Sequence, residues 1–268
     1  MTNESAVLPS LSGGLYAFFF DVDGTLAAIK PRPDEVSIPE NVRQMLQSLS
    51  TLSQGALALV SGRPVKELDV LISPLHVPLA GVHGAERRDV KGELHCTALP
   101  AAVTKELGDI LADSIAGWPG TQVEIKGMAF ALHYRQAMQY EAQVLQLAQS
   151  MVERFPELAL QPGKCVVELK PQGIDKGAAI KAFMREAPFT GRIPVFIGDD
   201  LTDEAGFLVV NAMQGISVKV GDGPSHARYR LKGVNDVYAW LEQLILQLDQ
   251  DKTTSVRSKG YESLSGRI

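Results

Sequence analysis

Tyr16-Ala17-Phe18-Phe19-Phe20-Asp21-Val22-Asp23-Gly24-Thr25 decides how this chain is read. Aromatic and apolar residues run without polar alternation into two carboxylates and a glycine, the pattern of a strand buried on both faces and ending in a turn. Asp and Gly are common turn formers, so Asp-x-Asp-Gly by itself means no more than that turn. The same kind of ending recurs, however, after other apolar runs. Ala56-Leu57-Ala58-Leu59-Val60 ends at Ser61-Gly62-Arg63, Pro78-Leu79-Ala80-Gly81-Val82 at His83-Gly84, and Pro194-Val195-Phe196-Ile197 at Gly198-Asp199-Asp200, with Asp203 close behind. Between the first runs lie helical spacings: Val42, Leu46 and Leu49 within 39–52, then Val65, Leu68 and Ile72 after Pro64, which suits the first turn of a helix. Strand and helix alternate, which predicts an α/β fold with a parallel sheet covered by helices.

The rhythm changes over 85–171. Segments 121–126, 130–135 and 166–170 alternate apolar with polar residues, as half-exposed strands do, and a helix over 139–154 carries Val144, Leu147, Ala148 and Met151 on one face. This stretch reads as a separate α+β insert, and 1–84 with 172–250 as the core it interrupts. From Asp175 the βα pattern resumes, with a helix through Ile180 and Phe183, another over 204–210, a strand over 216–220 and a last helix begun at Asp236. The polar leader before residue 15 is expected to fray, and the Ser-rich stretch 251–268 to be a flexible tail.

The 268 residues are 45% hydrophobic and 21% charged, which suits a globular protein with a real core. A net charge of −5 lacks the basic excess of a nucleic-acid binder, so an anionic ligand has to be held by local charges or by a metal. Cys96 and Cys165 are too few for a disulfide framework, and no apolar run approaches the roughly 18 residues that span a bilayer. The expectation is a cytoplasmic monomer without nucleic-acid or membrane partners. Trp118 and Trp240 read as packing residues, and His76, His95 and His226 show no metal-ligand spacing.

In an open parallel sheet, ligands bind outside the carboxyl ends of the strands, where Asp21, Asp23, Ser61, Asp199, Asp200 and Asp203 would converge. Carboxylates this close repel one another unless a divalent cation neutralises them, and an all-oxygen donor set points to Mg²⁺ shared with a phosphate. Lys176, at the start of a helix after the insert, and Ser61 can donate to such a phosphoryl group. A carboxylate can take the phosphoryl group covalently, and Asp21, first off its strand, is the better placed. Asp23 can then protonate the leaving oxygen and deprotonate the attacking water, while its backbone carbonyl reaches the metal. A receiver-type regulatory domain also builds on acids, a Ser or Thr and a Lys around Mg²⁺. Its order of groups differs, and it has no use for a large insert.

In their order, Asp21-Val22-Asp23-Gly24-Thr25, Ser61, Lys176 and Gly198-Asp199-Asp200-Leu201-Thr202-Asp203 resemble the four motifs of the haloacid dehalogenase phosphatase superfamily. Ser61-Gly62-Arg63, Gly81-Val82-His83-Gly84-Ala85-Glu86, Glu124-Ile125-Lys126-Gly127, His133-Tyr134-Arg135 and Val167-Glu168-Leu169-Lys170-Pro171 narrow the resemblance to the trehalose-6-phosphate phosphatase family. The resemblance implies a Rossmann-like core with a cap inserted over 85–171 that confers substrate specificity. It implies Asp21 as nucleophile, Asp23 as acid/base, and Asp21, Asp23 and Asp199 as the Mg²⁺ site, with Asp200 and Asp203 in support. Ser61, Gly62 and Lys176 would bind phosphate. Arg63, His83, Glu124, Lys126, Arg135 and Glu168 would bind the substrate, trehalose 6-phosphate, or another sugar phosphate as the alternative. Val82 departs from the polar residue that often stands there, and that position is expected to tolerate change.

Overall fold

The computed structural model describes residues 8–11, 13–126 and 128–265, with side-chain surroundings given for these apart from Pro33, Lys126 and 253–265. The chain forms β1 (Tyr16–Phe20), α1 (Glu40–Leu52), β2 (Leu57–Val60), α2 (Val65–Ile72), β3 (Leu79–Gly81), β4 (Glu86–Arg88) and β5 (Leu94–Cys96). It continues through α3 (Ala101–Ile115), β6 (Gln122–Lys126), β7 (Ala129–His133), α4 (Glu141–Arg154), β8 (Leu158–Gly163) and β9 (Val166–Pro171). It closes with α5 (Lys176–Phe183), β10 (Ile193–Gly198), α6 (Glu204–Ala212), β11 (Ile216–Val220), β12 (Tyr229–Leu231) and α7 (Val234–Ser265). Two compact units result: His95–Asp175, and the residues on either side of it. Among the described residues no helix is long and apolar enough to cross a membrane.

The interrupted unit is built on a sheet of order β12-β11-β10-β1-β2-β3-β4-β5, parallel from β12 to β3, with β4 antiparallel to β3. Alternation along β1 explains why its aromatic run is continuous. Phe18 and Phe20 enter an apolar layer with Leu46, Leu49, Leu68 and Leu241, whereas Ala17 and Phe19 enter one with Ile180, Phe183 and Phe207 on the other face. Both faces are buried, so no position on the strand can be polar until it ends. From β1 the chain winds outward through β2 and β3. After the insert it returns to β10 on the other side of β1 and winds the opposite way. The crevice outside the carboxyl ends of β1 and β10 is therefore the topological switch point, the place where such sheets bind ligands.

The contiguous unit has an antiparallel sheet of order β6-β7-β9-β8. Phe130, Leu132, Val167 and Leu169 turn one face of it onto Leu107 and Leu111 of α3 and Val144 and Ala148 of α4. The insert read from sequence as beginning near residue 85 begins as a compact unit ten residues later, because Glu86–Arg88 pairs with β3 and extends the core sheet. Two of its elements stand out poorly in the sequence. Gly108 interrupts α3, and Pro162 lies in β8, which is tolerated because β8 is an edge strand.

The described residues near the two ends, 8–11 and 251–265, are more ordered than their composition suggests. Leu11 is buried in the core layer, and Gln247 donates to Ser10 Oγ at 2.6 Å, so 8–11 is docked rather than frayed; the rest of the early leader, 1–7, lies outside the described residues. The stretch expected to be a flexible tail from residue 251 is helical to Ser265 as a continuation of α7, and 266–268 lie outside the described residues. Extending a helix already anchored by Val237, Leu241 and Leu244 needs no new nucleus, so polar residues of ordinary propensity suffice.

Candidate active site

Asp21 is the first residue beyond β1, and its N–H donates to the carbonyl of Ile197 on β10 at 2.9 Å, which ties the loop to the switch point. The turn that follows is closed by the N–H groups of Thr25, Leu26 and Ala27, all donating to the carbonyl of Val22. Gly24 has φ +79°, and a Cβ there would stand 2.0 Å from Asp199 Oδ2; glycine is needed both for the backbone and for the approach of the two loops. Asp199 follows β10. Asp200 then accepts from the Leu201 N–H at 2.7 Å while Asp203 accepts from the Asp200 N–H at 2.9 Å, a reciprocal cap that folds the loop back on itself. Lys176 opens α5 and lies 2% exposed, with Nζ 2.8 Å from Asp21 Oδ1 and 2.6 Å from Asp203 Oδ1.

Asp21, Asp199 and Asp203 each bring one carboxylate oxygen within 4.8 Å of the others. Three carboxylates facing one ammonium leave an excess of negative charge in a largely buried site. Burial pushes the Asp21 pKa well above the ordinary carboxylate value, against the pull of Lys176, with Asp203 and Asp199 adding to the rise. Burial and then the charge of Asp203 push Asp199 up to about 6. Burial alone would lower the Lys176 pKa, but Asp203 and Asp21 outweigh it and hold the ammonium above its usual range. A set of hard oxygen donors without His or Cys, two of them costly to ionise as they stand, fits a divalent cation of the Mg²⁺ type. Asp203, expected only to support, is thus a member of the cluster.

Asp23 stands apart from these three. Its carboxylate is held in a two-pronged ion pair by Arg63, with Nε to Oδ2 at 2.7 Å and Nη2 to Oδ1 at 2.8 Å, so a metal contact from this residue would fall to its backbone carbonyl. Arg63, expected to meet substrate, is engaged with Asp23 and with Glu67 at 3.4 Å. Ser61 is 1% exposed at the end of β2; its N–H donates to Ala80 and its Oγ accepts from the Arg63 N–H at 3.2 Å. A Cβ on Gly62 would come 2.7 Å from the His83 ring, so glycine there lets His83 reach the end of β2. Val82 and His83 both have left-handed backbones, φ +46° and +56°. That is costly for a β-branched residue, so the tolerance expected at position 82 is tolerance for Asn or Gly rather than for bulk.

Lys219 was not singled out by sequence reasoning. It is the one charge in an apolar strand, β11, and its buried ammonium donates to the main-chain oxygen of Asp199. A lysine inside an apolar run was the available signal. The remaining sequence candidates belong to the contiguous unit. Glu124 pairs with His133 Nε2 at 2.8 Å between β6 and β7, both side chains exposed, Glu168 is buried on β9, and Arg135 reaches the Lys164 carbonyl at 3.5 Å. The side chain of Lys126 lies outside the described residues, and only its place on β6 is given.

Residues 19–235 match the trehalose-phosphatase family. The chain is also 55% identical, over all 268 residues and the whole of both chains, to the trehalose-6-phosphate phosphatase of Escherichia coli. The chain belongs to the trehalose-phosphatase family. A probable trehalose-phosphate phosphatase of Sinorhizobium fredii is 42% identical over 207 residues, 77% of this chain and 78% of that one. Among solved structures, the C-terminal domain of the Candida albicans trehalose-6-phosphate phosphatase superposes with a TM-score of 0.74 over 86% of this chain and 92% of that one; at 22% identity it speaks for the fold. In this member of the trehalose-phosphatase family the acidic cluster lies at the β1/β10 switch point.

Proposed function

We propose that this chain hydrolyses trehalose 6-phosphate to trehalose and phosphate through a phosphorylated Asp21. The observation that carries the chemistry is the buried Asp21–Lys176–Asp203 arrangement with Asp199 beside it at the switch point. The substrate is inferred from family membership. A carboxylate oxygen of Asp21 attacks phosphorus and the bond from phosphorus to the sugar oxygen breaks, that oxygen taking its proton from Asp23, which enters this step as the neutral acid, released from Arg63. Water then attacks phosphorus, giving a proton to Asp23, and the bond from phosphorus to Asp21 breaks, which restores both carboxyl groups. Lys176 and Ser61 hold the phosphoryl oxygens while Lys176 also keeps Asp21 oriented, and positioning of this kind supplies most of the rate in phosphoryl transfer. When bound by Asp21, Asp199 and Asp203, Mg²⁺ supplies positive charge against the phosphoryl oxygens. Cytoplasmic location and a monomeric state belong to the same proposal.

Asp21→Asn keeps the size of the side chain and removes the nucleophilic charge. Phosphate release from trehalose 6-phosphate is expected to fall by several orders of magnitude with the circular dichroism spectrum intact. Parent-level release in that variant would overturn the mechanism, and a panel in which glucose 6-phosphate or sucrose 6-phosphate is the better substrate would overturn the substrate assignment.

A further inference from the structure

The sheet of the contiguous unit carries one short sequence twice. Val123-Glu124-Ile125-Lys126 on β6 and Val167-Glu168-Leu169-Lys170 on β9 have the same order of residue types. Both strands pair antiparallel with β7, so they run parallel to each other, and the register sets Glu124 and Glu168 against the same residue, Ala131. Lys126 is level with Ala129, and Lys170, the residue after the Leu169 that pairs with Phe130, comes level with it from the other side. On β8, Gln161 aligns with Glu168 and Ala159 with Lys170.

Side chains alternate between the faces of a strand. Because Phe130, Leu132, Val167 and Leu169 enter the apolar core of this unit, Glu124, Ala131, Glu168, Lys170 and Gln161 share the opposite face. That face is a strip floored by two alanines between two Glu-x-Lys positions that are two strand spacings, about 9.6 Å, apart. Carboxylates accept from hydroxyls and ammonium groups donate to them, so a low floor with Glu124 on one side and Glu168 and Lys170 on the other suits a ring that presents hydroxyls on both edges. On β9 a solvated ion pair does not account for the pair, since Glu168 and Lys170 are only 9% and 6% exposed. Burying these charges is costly without partners, and one partner of the Lys170 ammonium is the Gln161 side-chain oxygen.

We infer that Lys170, steadied by Gln161, is a specificity-determining residue: its ammonium holds one edge of a hexose ring of the substrate, across the alanine floor from Glu124. This rests on the trehalose 6-phosphate reading above and extends it to a residue with no role there.

The test compares kcat/KM for trehalose 6-phosphate with that for p-nitrophenyl phosphate, which has no hexose. Lys170→Met is expected to lower the ratio of the two by about 10- to 100-fold, the size of a lost hydrogen bond to a charged group. Gln161→Leu, which frees the ammonium without removing it, should lower the same ratio by a smaller factor, and Lys170→Arg should restore part of it. If Lys170→Met does not fold, Gln161→Leu carries the test on the same ratio. An unchanged ratio, or equal losses on both substrates, overturns the assignment. Glu124→Gln separates the causes: if it lowers the ratio where Lys170→Met does not, sugar recognition by this face stands and only Lys170 falls. If the unaltered protein shows no preference for trehalose 6-phosphate, the substrate reading falls with it.

Discussion

Replacing Lys176 by Met tests whether the core site is held together by charge. The methionine fills nearly the same volume, but it removes the ammonium bonded to Asp21, at 2.8 Å, and to Asp203, at 2.6 Å. Asp21 and Asp203 are 4% and 0% exposed, so neither can turn to water for compensation. Removing one partner of a buried ion pair usually costs about 3–5 kcal/mol. With a urea dependence of roughly 1–3 kcal/mol per molar, the unfolding midpoint of this half of the molecule should fall by about 1–5 M at pH 8 without Mg²⁺. The loss should depend on pH in a definite direction. Asp21 and Asp199 have folded-state pKa values above the ordinary carboxylate value, Asp199 at about 6, so protonation favours the folded form. The Asp199 contribution is fully present below pH about 4 and disappears as pH rises through about 6, and the Asp21 contribution is lost in the same direction, as pH rises. Without Lys176 this penalty deepens, so the gap between variant and parent should be small at pH 5 and large at pH 8, and added Mg²⁺ should narrow it at pH 8. Urea titrations at the two pH values decide the matter. A variant whose midpoint at pH 8 lies within about 0.3 M of the parent would refute the idea that Lys176 offsets the carboxylate repulsion.

Gly24→Ala should abolish Mg²⁺-dependent turnover while the fold is retained at a cost of about 1–2 kcal/mol, because its Cβ would lie 2.0 Å from Asp199 Oδ2 at φ +79°; a parent-like rate would refute it. Mg²⁺ has to displace protons from Asp199 and Asp21, so its rise in Tm should be larger at pH 7.5 than at pH 5 by about 2 °C or more, and a rise independent of pH would count against the site. Asp23→Asn should lower turnover of the sugar phosphate by about 10²- to 10⁴-fold, and retention of the parent rate would reduce Asp23 to a turn residue paired with Arg63.

What could be read from the residues was what the chain advertises locally. The run from Tyr16 to Phe20 is apolar throughout because both faces of β1 are covered, so its polar ending at Asp21 was visible. Lys176 and Asp199 were visible for the same reason, each placed where an element begins or ends. Pairings made by the sheet were not. Arg63 is 40 positions from Asp23, and they meet only because β1 and β2 are neighbours in register. The place of Asp203 in the cluster depends on a tight turn that folds three residues back, which the spacing alone does not distinguish from a surface acid. The helix beyond Asp251 was hidden by a composition that a loose tail and the end of a docked helix share.

The central strand of the core sheet has its two neighbours far apart in the order of synthesis. β1 can pair with β2 soon after both are made, but Tyr16 meets Ile193 only when the insert has been completed. Every pairing of the insert's own sheet lies within 122–171, so that unit has all its partners before β10 exists. A nascent chain at that stage therefore carries a finished insert on an unfinished core. Along β1 an open edge then exposes Phe18 and Phe20 to any strand nearby. The half that holds Asp21 is closed last, by the segment that also delivers Lys176, Asp199 and Asp203, so the chain gains its chemistry and the cover for this aromatic strand in the same step.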